Sequence, residues 1–482
     1  MKRKMSVIAI LIFVISVLFT ACVTNETSDL NDQVDKKLND TLIVAISADV
    51  TDFDAHGNNA PHNPMIRTQV YETLLEKDQD MNLLPSLAES WEYKDDTTLI
   101  FHLRKDVKFH NGDQMTSKDV VWSLKRACDS SFSGDFLKAV DKDAIVAIDE
   151  YTVKVPLHYA FAPILFNITN YDVGIMNEKA FTDAGGTYND SPVGTGPFKL
   201  KNWVRGDRIE FERFDEYWGD KAKIQNLVMR VIPEASSRVI EVETGGVDIA
   251  YEILPNDAKR LGQNKEIEII RTPQLRTNFI GFNCSKKPFD DVKVRQALSY
   301  AVDREALVNN VYQGSGVLAR GPIQPSCLGF NEGLKLPEYN PEKARELLRE
   351  AGYPNGFSTA IYLNESQQSI DTAEILQNYY SAVGVSTEVN VLEQSSFLSH
   401  IVDSTQDIYI LGWNSFGETD RGLYQTFNSS TASSQNTARY ANTEVDNLLE
   451  IGRKSVNEAE RIEAYREAQE IIVEEAPWIP LV

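Results

Sequence analysis

The run Asp407 to Asp420 reads Asp-Ile-Tyr-Ile-Leu-Gly-Trp-Asn-Ser-Phe-Gly-Glu-Thr-Asp, and it brings Trp413, Asn414, Glu418 and Asp420 close together along the chain. An aromatic face beside two carboxylates suits a ligand that carries an ammonium group. The same two acids, Glu418 and Asp420, could instead act as the acid and base of a hydrolase. With 71 acidic residues among 482 such a pair arises easily by chance, and no HExxH or GxSxG motif accompanies it. The chain is therefore not expected to be an enzyme. A second group, Asp52, Asp54, His56 and His62, lies in the loop Ala48 to Pro64. Its spacing is not that of a metal site, and Asp54 reads more simply as a cap on local backbone. No metal and no cofactor are expected.

The elements that must position these residues alternate between helix and strand, which gives an α/β or α+β class with mixed sheets. Ile408 to Leu411 is a short apolar run that Gly412 should end, a buried strand opening onto the polar residues beyond it. Ligands gather at the carboxyl ends of such strands. Thr41 to Ser47 predicts the first strand, and Ile66, Val70 and Leu74, spaced four apart, predict an amphipathic helix. Thr116 or Ser117 should cap the helix that carries Val120, Val121 and Leu124, with Asp119 or Asp113 near its positive end. Val292 to Tyr312 reads as one long helix. Asn340 followed by Pro341 should start another, and Gly352 should close it. Ser191 to Phe198 and Arg271 to Asn283 read as crossings between domains, the first lacking the lysine of a phosphate loop.

Met-Lys-Arg-Lys and the apolar run to Ala21 have the form of a secretory signal, so export is expected. Leu18 to Cys22 resembles a bacterial lipobox, which makes Cys22 the lipidated residue of a chain anchored to a membrane from outside. Residues 22 to 40 are polar and should be a flexible tether. The formal charge of −23 argues against a nucleic-acid binder but says little about a ligand. Cys128, Cys284 and Cys327 are odd in number and widely spaced, so neither a disulfide framework nor a zinc site is implied.

Several stretches resemble one family. Leu87-Ala88-Glu89-Ser90-Trp91, the block from Leu99 to Arg126, and the segments Thr51 to His56, Val193 to Phe198, Pro288 to Asp303 and Gly412 to Asp420 are similar to the extracytoplasmic solute-binding proteins (family 5) of peptide and nickel ABC transporters, in the dipeptide, oligopeptide and glutathione branch. The resemblance implies a two-lobed periplasmic-binding-protein fold (type II, cluster C) with an extra domain inserted in the first lobe. The boundaries it suggests are 41–66 plus 193–272 for lobe I, 67–192 for the extra domain and 273–482 for lobe II. It implies a monomer that captures a short peptide by lobe closure and delivers it to a permease and its ATPases. A nickel chelate, another small solute or a signalling peptide are the alternatives on the same fold. An acidic residue of the loop after Gly412-Trp413 would meet the peptide's amine, Asp420 matching best and Glu418 competing. An arginine would meet its carboxylate, with Arg276, Arg421 and Arg320 as candidates. Asp54 and His56 complete the expected ligand-binding set with Trp413 and Asn414. Two departures stand out: Ala55 replaces the family's usual proline, and the chain stops at Val482 where the family continues, so a C-terminal return to lobe I is expected to be missing.

Overall fold

The computed structural model describes residues 40–57, 63–188 and 191–482. The expected signal, Cys22, most of the tether and His62 lie outside the described residues. Two compact units emerge. One collects the described residues up to Glu72 with those of 105–123 and 174–268; the other collects those of 73–104, 124–173 and 269–482.

In the first unit Thr41–Ile46 lies within a five-stranded sheet, parallel to Asn226–Val231 on one side and to Ile249–Ala250 on the other. Arg208–Arg213 and Phe198–Val204 extend the sheet antiparallel. Ile209, Phe211 and Met229 alternate with half-buried neighbours and bury one face with Phe53 and Val44. The helix expected through Ile66, Val70 and Leu74 is corrected here: the helix is Asn63–Arg67, and although all three residues are buried, the chain has left helical geometry by Val70. Tertiary hydrogen bonds override the periodicity. The carbonyls of Gln69 and Val70 accept from Phe198 N (3.0 Å) and Gly196 N (2.9 Å), so a helix beyond this point would lose partners already engaged. The glycines of the Val193 to Phe198 stretch follow from this approach, because a Cβ on Gly194 would lie 2.0 Å from Val70 O. Thr116 and Asp119 form the expected cap, Asp119 Oδ2 accepting from Thr116 N and Oγ1 at 3.0 and 3.1 Å.

In the second unit the main sheet has the order Ser386–Leu392, Ser358–Asn364, Ile408–Asn414, Arg276–Phe282, Trp478–Pro480. Arg276–Phe282 and Ile408–Asn414 pair antiparallel along their whole seven residues. Both faces of this pair are covered. Ile280, Phe282, Ile408 and Ile410 pack with Val294, Leu298, Leu347 and Leu376, whereas Phe279 and Tyr409 pack with Phe397, Leu449 and Tyr465. A strand covered on both faces explains the unbroken apolar run at Ile408. Two expectations are corrected. Val292 to Tyr312 is two helices, Val292–Tyr300 and Arg304–Tyr312, because Asp303 leaves helical geometry and its side chain accepts from Ala306 N at 2.9 Å as the cap of the second. The 408 strand does not end at Gly412 but runs on to Asn414. Asn340 and Pro341 do open the helix Pro341–Glu350, and Gly352 takes the left-handed φ of 88° after it.

The same unit holds a four-stranded antiparallel sheet, Ala88–Asp95, Thr98–Leu103, Thr152–Pro156 and Val146–Asp149, and the hairpin Leu75–Lys77 with Leu83–Pro85. Among the described residues no helix is long and apolar enough to cross a membrane.

Gly194→Ala is expected to destabilise the protein by about 3 kcal/mol, since the added carbon collides with backbone rather than with a movable side chain. Urea denaturation monitored by tryptophan fluorescence measures this, with Gly206→Ala as a control for substitution at a glycine where the added carbon has open space but the φ is positive.

Candidate functional site

Gly412 is where the strand's function begins. A Cβ there would fall 2.1 Å from Asn278 Oδ1 and 2.3 Å from Arg276 Nη2. The missing side chain therefore lets the Arg276 guanidinium lie across the strand, where its Nε donates to Asn278 Oδ1 at 2.9 Å. Arg276 pairs in register with Asn414, and both are exposed at the strand's end. Trp413 is half-buried, and its Nε1 donates to Arg421 O at 2.9 Å, which ties the loop back onto the strand.

The loop turns sharply. Asn414 Oδ1 accepts from Phe416 N at 2.8 Å, Phe416 and Gly417 both take left-handed φ of 55° and 80°, and a π-helical turn follows over Asp420–Tyr424. Such turns are frequent at functional sites. Thr419 Oγ1 donates to Leu328 O at 2.7 Å and anchors the middle of the loop.

Both carboxylates are buried, Glu418 at 5% and Asp420 at 2% exposure. Asp420 accepts from Arg453 Nε at 2.9 Å and Nη2 at 3.3 Å, a bidentate pair on a guanidinium that itself lies 3.5 Å from the centre of the Tyr424 ring. Glu418 has no ion-pair partner within 4 Å among the described residues; its Oε2 accepts from Arg421 N at 2.7 Å. Burial, and then the charge of Asp420, push its carboxyl up to about 7.

The structure thus brings Arg276, Trp413, Asn414, Glu418, Asp420 and Arg421 to one end of one sheet. Arg320 is exposed, in the loop after the helix Arg304–Tyr312. Asp54 and His56 belong to the other unit. There Asp54 Oδ1 accepts from His56 N at 2.9 Å, the local capping expected of it, and buried His56 places Nε2 2.9 Å from Gly174 O. Among the described residues no group of three His, Cys, Asp or Glu could hold a metal. Arg453 was not foreseen. The hint for it was Gly452 inside a charged helix, where a Cβ would meet the Tyr465 ring at 2.4 Å; a glycine there signals close packing beside Arg453.

The profile of the bacterial extracellular solute-binding proteins, family 5 Middle, matches residues 82–435. The chain belongs to this family. It is 32% identical over 451 residues to heme-binding protein A of Haemophilus influenzae, covering 86% of this chain and 81% of that protein. To the glutathione-binding protein of Escherichia coli it is 31% identical over 456 residues, covering 92% and 88%. Among solved structures, the ABC transporter-associated periplasmic binding protein DppA of Helicobacter pylori, in complex with the peptide STSA, superposes with a TM-score of 0.72 at 27% identity, covering 92% of each chain. This family-5 protein is a two-lobed, extracytoplasmic solute-binding protein and not an enzyme.

Two outcomes follow from the buried carboxylates. Asp420→Asn should cost about 3 kcal/mol, because it leaves Arg453 without its partner; adding Arg453→Met should recover part of that loss in a denaturation double-mutant cycle. Glu418, whose folded pKa lies above its unfolded one, contributes stability below about pH 4.5 that is lost as pH rises through about 7. Glu418→Gln should therefore be more stable than wild type by about 3 kcal/mol at pH 8 and lose that advantage by pH 4.

Proposed function

We propose that the protein captures a short peptide outside the cytoplasm by closing its two lobes over it and hands it to the permease and ATPases of an ABC transporter, while lipid on Cys22 holds the chain to the membrane. The lobes are 41–66 with 193–272, and 273–482, with residues 67–192 as the extra domain. A peptide bears an amine, a carboxylate and amide groups between them. The observation that carries the reading is the sheet end at which Arg276 and Asn414 pair in register and from which the loop bearing Glu418 leaves: a cation, a side-chain amide and a carboxylate without an ion pair.

In this reading Arg276 takes the ligand's carboxylate and Asn414 one of its main-chain amides. Trp413 forms an apolar wall with its polar edge already engaged. Glu418 takes the amine, and Asp420, held on both oxygens by Arg453, keeps the loop in shape. Asp54 and His56 bring the first lobe's loop to the ligand. Ligand contacts made from both lobes favour the closed state in proportion to their differential affinity. The named ligands of the glutathione-binding and STSA-bound relatives support a peptide; that of heme-binding protein A does not.

Calorimetry with dipeptides, tripeptides, glutathione, heme and nickel–histidine separates the readings. Peptide binding that weakens at least tenfold on Arg276→Gln is the expected result. Silence with every peptide, or binding of heme or the nickel chelate alone, would sink the proposal.

A further inference from the structure

Beside the 416–421 loop the second unit holds more cations than carboxylates to pair them. The hairpin Leu75–Lys77 with Leu83–Pro85 closes through Asp78, whose carboxylate accepts from Asp80 N, Asn82 N and Asn82 Nδ2 at 2.8–2.9 Å. This turn sets Lys77 Nζ 4.3 Å from the centre of the Phe166 ring, and Phe166 with Met81 packs against Gly417, where a Cβ would come within 3.4 Å of the ring and 2.9 Å of the sulfur. Arg421 Cζ lies 4.8 Å from the Phe416 ring and 5.3 Å from that of Phe136, which Asn167 Nδ2 holds through the Phe136 carbonyl at 2.9 Å.

Lys77 and Arg421 make no ion pair among the described residues, and Arg421 Nε has no hydrogen-bond partner. Arg461, whose charge also reaches Glu418 and Asp420, donates its Nε to Gly452 O at 3.0 Å. Asp420 is taken by Arg453, and Asp135, whose charge reaches Arg421, is paired with Lys138 at 2.9 Å. Glu418 is the carboxylate that acts on both cations, and it cannot neutralise two. Burial also pulls the Lys77 ammonium down to about 8, a sign of how poorly its charge is compensated. Aromatic faces hold a cation by about 1 kcal/mol, less than the loss of water costs it. Two unpaired cations walled by aromatic rings, in a protein of net charge −23, are placed for an anion that arrives with the ligand.

We propose that Lys77 and Arg421, walled by Phe166, Phe136 and Phe416, form a receptor for a side-chain carboxylate of the peptide, so that acidic peptides are the preferred ligands. The inference rests on the peptide reading above and adds a charge preference to it. A side-chain carboxylate close to the ligand's amine would sit beside these cations while the amine meets Glu418. The bidentate geometry of Arg421 and the point charge of Lys77 both suit it.

The test compares Glu-Ala with its uncharged isostere Gln-Ala by calorimetry on the full chain at low salt, in wild type and in Lys77→Gln/Arg421→Gln. Wild type should bind Glu-Ala at least tenfold more tightly than Gln-Ala. The double variant should lose at least five times more affinity for Glu-Ala than for Gln-Ala. Its melting temperature without ligand should not fall, since two unpaired charges have been removed; Lys77→Gln alone serves if the double variant does not fold. Equal wild-type affinities, or a preference that survives in the variant, would overturn the inference and leave the peptide reading intact. If wild type binds neither peptide, that reading falls and glutarate decides the site. A rise in melting temperature in wild type that the variant lacks upholds the anion receptor, and no rise in wild type removes it.

Discussion

The pair formed by Asp420 and Arg453 sets the conditions for everything else at the sheet's end. A carboxylate removed from water is stable only where its oxygens are fully engaged, and a bidentate guanidinium stacked on Tyr424 engages both. The pair joins the π-helical turn Asp420–Tyr424 to the helix Thr443–Lys454. The hydrogen bond from Ala162 N to Arg453 O, 2.9 Å, then carries the same helix to the segment that holds Phe136 and Phe166. With Asp420 committed in this way, Glu418 is left as the acid without an ion pair, and its position is fixed by the Arg421 amide rather than by a charge. One buried interaction thus determines which acid, and which cations, remain open to a ligand.

Much of the fold could be read from local pattern. The strand at Ile408, the cap at Thr116 with Asp119 and the helix from Pro341 to Gly352 follow rules in which neighbours along the chain decide the outcome. The failures differ in cause, one distant in sequence and one local. The helix that stops after Arg67 yields to carbonyls claimed by Gly196 and Phe198, more than a hundred residues away. The reading of Val292 to Tyr312 as one helix overlooked that Asp303 could both end one element and cap the next.

Gly412 shows the same limit at the site. A glycine after an apolar run suggested the end of a strand, whereas its place in the structure comes from Arg276 on the neighbouring strand, which needs the space. Trp413, Asn414, Glu418 and Asp420 could be named from one motif because they lie within one loop. Arg453 and Lys77 could not, because a cation's role depends on which acid the fold sets against it, and both acids lie far from them in sequence. The excess of cations beside the loop is therefore a property of the assembled unit and is invisible in a chain whose overall charge is strongly negative.

The central claim is that this family-5 solute-binding protein carries a peptide. Native mass spectrometry of the protein isolated from the cells that make it, followed by sequencing of whatever is released on denaturation, tests that most directly. The expected result is a released species of a few residues bearing at least one acidic side chain. Release of heme, a nickel chelate or a sugar in stoichiometric amount, with no peptide, would contradict it.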